Sequence, residues 1–211
     1  MFIARKNLSQ SDYVDAAVRF ANENGMEAMT MRSLGEAMGV DATAVYRHFP
    51  TKEKLLEAMV DWFFGVVIED VLKNAENKSP RERCVSFAQS FRNTFETYPN
   101  IGGQVSYSSG SSPNGYMSTK MVIDALQEMG LSGKDLVVSY QGLEGLVLGS
   151  CLQDFIGAPN NWEIRRTRYR LLDHPAFDEV AINSQSVKET ADKAFNSALS
   201  ILLDKCETLV K

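Results

Sequence analysis

The sequence predicts an all-α protein of about nine or ten helices, because apolar residues recur at three- and four-residue spacing along most of the chain. No segment of the 211 residues alternates apolar and polar side chains over the length of a strand, and the sequence contains no internal repeat. Residues that favour helix ends fall between the apolar patterns. These observations predict three short helices at the start of the chain and longer helices after them.

The first three helices are predicted from residues that begin and end helices. Each helical pattern follows a Ser, Thr or Asp that caps its first turn, and each is followed by a Gly or Pro that does not continue a helix. The predicted pairs of cap and stop are Ser9 with Gly25, Thr30 with Gly39, and Asp41 with Pro50.

The rest of the chain is predicted to be helical as well. Thr51 caps a fourth helix whose apolar pattern runs to about Leu72. A segment rich in Gly and Ser at 102–115 is predicted to be a loop or a short irregular piece, and His174-Pro175 is predicted to break the chain between helices. The other predicted helices cover 80–98, 116–129, 132–155, 160–172 and 184–209.

The composition is that of an ordinary globular protein, with 44% hydrophobic and 23% charged residues. The start, MFIARKNLSQ, has no long apolar run, and no later stretch reaches the ~20 apolar residues that a membrane-spanning helix needs. We therefore expect a cytoplasmic location, with no signal peptide and no membrane partner.

Enzymatic and metal-binding functions are disfavoured by the residues themselves. Only two histidines are present, His48 and His174, and no hydrolase, zinc-protease, phosphate-loop or dinucleotide motif occurs. Cys84, Cys151 and Cys206 lie far apart without a CxxC pair, which predicts neither a zinc site nor a disulfide framework. We expect three buried or half-buried thiols in a reducing compartment, with no catalytic residues, no metal and no cofactor.

The segment from Thr30 to Phe49 has the pattern of a helix-turn-helix, with two short helices joined at Gly39. In such a unit the second helix enters the major groove of DNA, and its early residues reach the base edges. The net charge of −5 argues weakly against nucleic acid, but the first 54 residues carry seven basic and seven acidic side chains. The acidic excess therefore lies outside the motif.

Within the predicted recognition helix, Val45 and Phe49 form the side that docks on neighbouring helices. The other side carries Thr43, Arg47 and His48. Arg can donate two hydrogen bonds to guanine, and a Thr methyl can contact the thymine methyl. Tyr46 and Lys52 lie just outside that face and are better placed to contact phosphate. Lys52 is at a predicted helix N-terminus, where backbone N–H groups attract anions.

The run TMRSLGEAMGVDATAVYRHFPTKEKLLEAM resembles the DNA-binding domain of the TetR family of bacterial transcriptional regulators. The match is specific over residues 9 to 60, where spacing, caps and apolar positions agree together. Ala42 and Ala44 depart from the polar residues found there in some members, which leaves Thr43 and Arg47 as the main candidates for base readout. The DNA contacts implied by the resemblance are Arg32, Thr43, Tyr46, Arg47, His48 and Lys52.

Three of these residues have an alternative structural interpretation. Tyr46 can serve as a core aromatic with its hydroxyl at the surface. His48 can interact with the C-terminal end of its own helix, where positive charge is favoured. Arg32 can pair with Glu36 one turn away.

The resemblance also implies a domain division, with a DNA-binding domain at 1–52 and a ligand-binding and dimerisation domain at 53–211. The expected protein is a homodimeric repressor that a small-molecule ligand releases from double-stranded operator DNA. The expected effector is a small apolar or amphipathic molecule of unknown identity. A regulator that activates, or that has lost its ligand response, has the same sequence features.

Two helices are candidates for the dimer interface. Glycine costs roughly 1 kcal/mol inside a helix, so three of them in one predicted helix need a reason. The alternative reasons are close packing against a partner helix, room for a ligand and internal packing. A pair of such helices from each subunit would form a four-helix bundle. The candidate residues are Gly142, Gly145 and Gly149, with Val187, Ala191, Ala194, Ala198, Ile201 and Leu202 on the terminal helix.

An effector pocket is predicted from aromatic and Met stripes on three helices. Ligand sites are mostly apolar with a few polar groups, and Glu144 is a charged residue within an apolar helix. Plain core packing is the alternative interpretation of each stripe. The candidate lining residues are Phe87, Phe91, Phe95, Met117, Met121, Tyr140, Glu144 and Val147.

Overall fold

The computed structural model describes residues 8–73, 77–106, 112–158 and 160–210 and confirms the all-α class. Within these residues the chain forms eleven helices and no strand. The helices are α1 Gln10–Asn24, α2 Met31–Met38, α3 Ala42–His48, α4 Lys52–Lys73, α5 Pro80–Thr97, α6 Pro99–Val105, α7 Pro113–Glu128, α8 Gly133–Phe155, α9 Asn160–Arg170, α10 Pro175–Val180 and α11 Ser184–Thr208.

The chain divides into two compact units. The first comprises the described residues of Met1–Val66 and Tyr98–Tyr116, and the second those of Val67–Thr97 and Met117–Lys211. The boundary between residues 52 and 53 falls at the start of α4, within the first unit. The division into a DNA-binding domain at 1–52 and a ligand-binding and dimerisation domain at 53–211 stays a prediction.

The predicted caps of α1, α2 and α3 are confirmed by their hydrogen bonds. The Ser9 and Thr30 side chains each form a capping box, and the Asp41 carboxylate accepts a 2.8 Å hydrogen bond from the Thr43 amide. Gly25 and Gly39 have φ of 83° and 67°, a region that L side chains rarely adopt. These local interactions satisfy helix N–H groups that would otherwise lack partners.

Apolar side chains from α1 to α4 form the core of the first unit. α2 packs against α3 and α1, and α1 also packs against α6. Fully buried members of this core are Ala17, Ala21, Met29, Leu34, Val45, Phe49, Leu55, Met59 and Phe63.

Residues 102–115, predicted to be a loop, are in part helical. Ile101 and Gly102 are buried in α6, and Pro113 to Gly115 begin α7, while 107–111 lie outside the described residues. The helix predicted at 80–98 ends at Thr97, and Pro99 is the first residue of α6, where a missing N–H has no cost and the proline φ suits a helix. The loop prediction for 102–105 and 113–115 was therefore wrong.

The second unit contains another short helix that the sequence did not indicate. His174-Pro175 ends the region of α9 as predicted, but Pro175 is also the first residue of α10. The His174 Nδ1 atom accepts a 3.2 Å hydrogen bond from the Ala176 amide and so caps that helix. Proline at the first helical position begins a helix as readily as it interrupts one.

The core of the second unit lies among α5, α8 and α11, with α9 packed on α11. Its apolar members come from one side of each helix. The fully or nearly fully buried ones are Cys84, Ala88, Phe95, Leu143, Cys151, Phe155, Val187, Leu199, Leu203 and Cys206. The expectation of buried thiols is confirmed, and burial raises the pKa of both Cys84 and Cys151 to about 12.

A charged cluster is buried inside this apolar core. Asp154 on α8 pairs with Arg92 on α5 and with Arg165 on α9, each at 2.8 Å. Arg92 also reaches Asp192 on α11 at 2.7 Å. Burial opposes the charge of Arg92, but the hydrogen bonds to Asp192 and Asp154 outweigh it and hold its pKa above the usual value. Four helices of the second unit thus meet at one set of ion pairs.

Aromatic rings flank the Arg92 guanidinium. The Phe155 and Phe195 ring centroids lie 4.6 and 4.8 Å from its central carbon, a distance at which a ring face attracts a cation. The other arginine of the cluster, Arg165, lies 4.9 Å from the Trp162 ring. The cluster therefore has both charged and aromatic partners, and the charged partners meet the need of a buried cation to be paired.

No helix within the described residues is long and apolar enough to cross a membrane.

Candidate DNA interface

The recognition helix α3 is held by its apolar side. Val45 and Phe49 are buried, with 0% and 1% of their surfaces exposed. At Gly35 on α2, a Cβ atom would lie 3.0 Å from the Val40 carbonyl oxygen and 3.3 Å from the Ala42 amide nitrogen. The absence of a side chain there allows the turn and the start of α3 to approach α2 closely. This approach fixes which side of α3 faces outward.

The outward side of α3 carries three of the predicted DNA-contacting residues. Thr43, Tyr46 and Arg47 are all exposed, and half of the Tyr46 surface is accessible. Two apolar anchors on one side and a polar side facing solvent are what a helix needs in order to enter a DNA groove. The interpretation of Tyr46 as a core aromatic does not fit this exposure.

His48 lies differently from its neighbours on α3. Its ring is half-buried and packs against Tyr13 of α1, with the ring centroids 4.6 Å apart. The contact fixes the position of the imidazole at the end of α3. The sequence spacing did not indicate this packing, since Tyr13 and His48 lie on different helices.

Arg32 forms the ion pair that its sequence spacing suggested. Its Nε atom lies 2.8 Å from a Glu36 carboxylate oxygen, while 84% of the arginine side chain and 64% of the glutamate side chain are exposed. The hydrogen bond to Glu36 raises the pKa of Arg32. Because the pair lies in solvent, it leaves the guanidinium accessible to a phosphate.

Lys52 is the first residue of α4 and is half-buried. The preceding Thr51 hydroxyl accepts a 3.3 Å hydrogen bond from the Lys54 amide and caps the helix as predicted. The first-turn Glu53 has its pKa lowered by its own backbone N–H and by the Thr51 hydroxyl. A lysine at such an N-terminus combines its own charge with exposed backbone donors.

The predicted pocket residues on α5 form part of a chain of aromatic rings. Phe87, Phe91 and Phe95 follow one another with ring centroids 6.3 Å apart, and Phe95 lies 6.2 Å from Phe155. Burial increases along this chain from half-buried Phe87 to fully buried Phe95. The accessible end of the stripe is therefore at Phe87.

The other predicted pocket residues lie on α7 and α8. Met117 is exposed and Met121 is half-buried, while Val147 is buried. The half-buried Tyr140 donates a 2.9 Å hydrogen bond to the exposed Glu144. Burial, together with its contact to Glu144, raises the pKa of Tyr140, although a hydrogen bond with Thr119 opposes the rise.

The three glycines of α8 lie on an exposed side of the helix. A Cβ atom would meet nothing within 4 Å at Gly145 or Gly149, and at Gly142 it would lie 3.4 Å from a Leu202 methyl group. Packing within the protomer therefore does not explain why Gly145 and Gly149 lack side chains. Both positions remain open to a partner.

The predicted interface residues of α11 divide into two groups. Val187 is buried within the second unit, with 1% of its surface exposed. The remaining residues are half-buried or exposed, and Ile201 is 68% exposed. These accessible residues are Ala191, Ala194, Ala198, Ile201 and Leu202.

The docked and outward-facing α3, joined to α2 by a glycine turn, defines this protein as a helix-turn-helix transcriptional regulator. Residues 14–59 match the family model of bacterial regulatory proteins of the tetR family, and residues 74–210 match that of the tetracyclin repressor-like C-terminal domain. Together these matches cover most of the chain. The chain belongs to the TetR family.

Curated relatives show the same similarity along the chain. A HTH-type transcriptional regulator of Saccharopolyspora erythraea is 26% identical over 170 residues, which cover 79% of this chain and 69% of the relative. The class A tetracycline repressor protein from transposon 1721 of Escherichia coli is 24% identical, with 93% of this chain and 89% of the relative covered.

Solved structures agree with the fold. TetR from Acinetobacter baumannii AYE matches with a TM-score of 0.75 and 27% identity, covering 96% of this chain and 98% of that one. ActR of Streptomyces coelicolor in complex with actinorhodin matches with a TM-score of 0.75 over 97% of this chain and 99% of that one. Its 18% identity supports a likeness of fold alone.

Proposed function

We propose that this protein is a homodimeric transcriptional repressor, released from double-stranded operator DNA by a small apolar or amphipathic effector. The observation that carries the proposal is the outward face of α3, where Thr43, Tyr46 and Arg47 are exposed beside buried anchors. The protein acts in the cytoplasm, where bacterial DNA is accessible to it.

At the operator, Arg47 and Thr43 read base edges in the major groove. An exposed arginine on a recognition helix can donate two parallel hydrogen bonds to guanine, and the Thr43 methyl suits the thymine methyl. The remaining contacts position the protein on the phosphate backbone and carry no sequence information directly. Those positioning residues are Arg32, Tyr46, His48 and Lys52.

The dimer forms through α8 and α11. Gly145 and Gly149 leave room for a helix of a second subunit, and Ile201 offers exposed apolar area on α11, which packs against α8. Two helices from each subunit give a four-helix bundle with two-fold symmetry. The symmetry presents two recognition helices to half-sites about one DNA turn, ~34–36 Å, apart.

The effector binds in the domain predicted at 53–211, among the stripes of α5, α7 and α8. The accessible residues Phe87, Met117 and Met121 supply apolar surface, and the Tyr140–Glu144 pair supplies polar groups. Such a combination suits an amphipathic ligand. The named complex of ActR with actinorhodin is an example of a small molecule bound to a protein of this fold.

Ligand and operator binding are expected to be reciprocal. If the effector favours a dimer geometry that DNA does not, each ligand must weaken the affinity for the other by the same factor. Calorimetry with and without operator measures that factor. Equal effector affinities in the two titrations would contradict the release model while leaving DNA binding intact.

The DNA-binding part is tested by selecting bound duplexes from random DNA with the purified protein. We expect the selected site to be two-fold symmetric. A metabolite library is then screened for members that release the protein from this site. A selection that yields no enriched sequence would refute the proposed function. Transcription from a promoter that carries the selected site distinguishes repression from activation.

The dimer interface is tested by adding one charge to α11. Ala194→Glu places a carboxylate on the accessible side that includes Ala198 and Ile201, and we expect it to shift the protein toward monomer in light scattering. Asn196→Glu is the matched control, because Asn196 is also exposed but lies on the other flank of the helix. Equal oligomeric states for both variants would exclude this face as the interface.

A further inference from the structure

We propose that the contact between Asp61 and Asn114 is a clamp that holds α4 in the geometry required for operator binding. The proposal rests on the proposed function and assigns to it two positioning residues that do not touch DNA. Both residues belong to the first unit, although 53 positions separate them in the sequence.

Asp61 caps α7 from a neighbouring helix. Its carboxylate accepts a 2.7 Å hydrogen bond from the Asn114 amide and a 3.0 Å hydrogen bond from the Asn114 side chain. The Asn114 side chain also donates to the Asp61 carbonyl oxygen at 3.1 Å. Pro113, the first residue of α7, has no N–H, so Asn114 carries the first amide donor of the helix. A carboxylate is favoured at this positive end of a helix.

The surroundings of Asn114 give the clamp a fixed geometry. A Cβ atom on Gly65 of α4 would lie 3.1 Å from the Asn114 side-chain nitrogen, so the amide lies directly on the α4 backbone. Three hydrogen bonds between partly buried groups are directional and leave few alternative arrangements. The contact is therefore expected to be either formed or broken, with little in between.

Within the described residues of 98–116, other side chains also contact helices α1 and α4. The Asn100 side chain donates a 2.9 Å hydrogen bond to the Ala21 carbonyl oxygen near the end of α1. The Tyr98 ring meets the Trp62 ring of α4 edge to face, with the centroids 5.0 Å apart. The described part of the segment is thus joined to α1 and α4, and the Asp61 clamp lies at its α7 end.

Both clamped helices continue beyond the first unit. α4 passes from Val66 to Val67 and α7 from Tyr116 to Met117 without interruption. Met117 and Met121, two predicted effector-lining residues, follow Asn114 on α7. At its other end α4 begins at Lys52, next to the recognition helix. A displacement of the start of α7 must therefore either carry α4 with it or break the clamp.

The first variant is Asp61→Asn, which places one amide against another at the Asn114 side chain. Because the clamp holds α4 in the operator-binding geometry, we expect the affinity for the DNA selected by the wild type to fall about fivefold or more. Glu69→Gln is the control, since it removes a carboxylate from the same helix in an exposed ion pair with Lys73. The control is expected to bind within roughly twofold of the wild type.

A reciprocal exchange separates positioning from general destabilisation. In the double variant Asp61→Asn with Asn114→Asp, an amide again faces a carboxylate, but the residue-114 side chain no longer donates to the carbonyl oxygen of residue 61. We therefore expect operator binding tighter than with Asp61→Asn alone and weaker than with the wild type. Hydrogen exchange of the first α7 amides reports whether the clamp is formed in each variant. A merely structural contact would change this exchange and Tm without changing operator affinity.

Two results would overturn the proposal. One is wild-type operator affinity in Asp61→Asn despite faster exchange at the start of α7. The other is a double variant that binds no better than Asp61→Asn. Both leave the proposed function standing, because they are measured on DNA that the wild type binds. A wild-type protein that selects no DNA would instead refute the proposed function itself.

Discussion

Two arginine–carboxylate pairs with the same 2.8 Å separation serve different purposes in the two units. Arg32 and Glu36 on α2 have side chains that are 84% and 64% exposed. Arg92 and Asp154, which join α5 to α8, are each 6% exposed. An exposed pair competes with water and salt, whereas a buried partner has no substitute when its counterpart is removed.

The difference shows where each unit has cations available for a ligand. In the first unit Arg32 and Arg47 lie at the surface, so a phosphate or a base can replace the weak contacts that they make. In the second unit Arg92 and Arg165 are committed to Asp154 and to aromatic rings. Charge in the first unit is thus available for recognition, and charge in the buried cluster stabilises the fold.

The largest expected effect is that of Asp154→Ala, which leaves two buried arginines without a shared partner. We expect the free energy of unfolding to fall by about 3–5 kcal/mol. Urea denaturation followed by tryptophan fluorescence measures it, since Trp162 packs against Phe155 beside the cluster. Asp192→Ala is the control and should lose clearly less, because 42% of the Asp192 side chain is exposed. Equal losses would remove the distinction between buried and exposed pairs.

The second effect concerns the exposed arginine of α3. Arg47→Ala should leave stability unchanged, because the side chain contributes to no core. Operator binding should weaken by ~1–3 kcal/mol, with specificity relaxed at one base position. Competition binding against singly substituted operators measures both quantities.

Lys52→Ala provides the contrast to Arg47→Ala. The loss of a phosphate contact weakens binding to all sequences alike and should lower the salt slope of the binding constant by ~1. If Arg47→Ala and Lys52→Ala both bound like the wild type at matched salt, the assigned face of α3 would be wrong.

The third effect is that of the α3 cap. The Thr43 amide lowers the pKa of the Asp41 carboxyl, so its stabilising contribution is present above the unfolded-state pKa and is lost as pH falls through the lower folded-state pKa. Asp41→Ala should lower Tm by about 2–4 °C at neutral pH. The gap from the wild type should close in acid, and a gap that stayed constant to low pH would show that the charge of Asp41 is not its cause.

The smallest expected effect is that of Glu36→Gln. Because the pair with Arg32 lies in solvent, we expect no measurable change in Tm. Operator affinity should stay equal or rise slightly, since removing the carboxylate frees Arg32 for phosphate. A clear loss of stability, measured by calorimetry, would mean that the exposed pair resembles the buried one after all.

The sequence was sufficient for α1 to α4 because their caps are local. Ser9, Thr30 and Asp41 each bond an amide two or three positions away, an interaction that spacing alone can reveal. The helices α6 and α10 were missed because a proline that begins a helix looks the same in sequence as one that ends its predecessor. Glycines in α6 strengthened the wrong prediction.

Long-range contacts were beyond sequence reasoning. Nothing local marks Asp61 as a partner of Asn114, or Asp154 as the centre of an ion cluster, because such pairs depend on how separate helices pack. The apolar stripes were found by periodicity, but periodicity does not distinguish the buried Phe95 from the exposed Met117. Which side of α8 faces outward likewise depends on how α8 packs against α5 and α11.

The burial of all three cysteines has a practical consequence for measuring the dimer. Thiol reagents react with thiolates, and the high pKa values of Cys84 and Cys151 leave almost none at neutral pH. A single cysteine introduced at an exposed position such as Thr43 can therefore carry a spin label or a fluorophore while the native thiols remain in place. In a dimer the two labels report the separation of the recognition helices directly, before and after an effector is added.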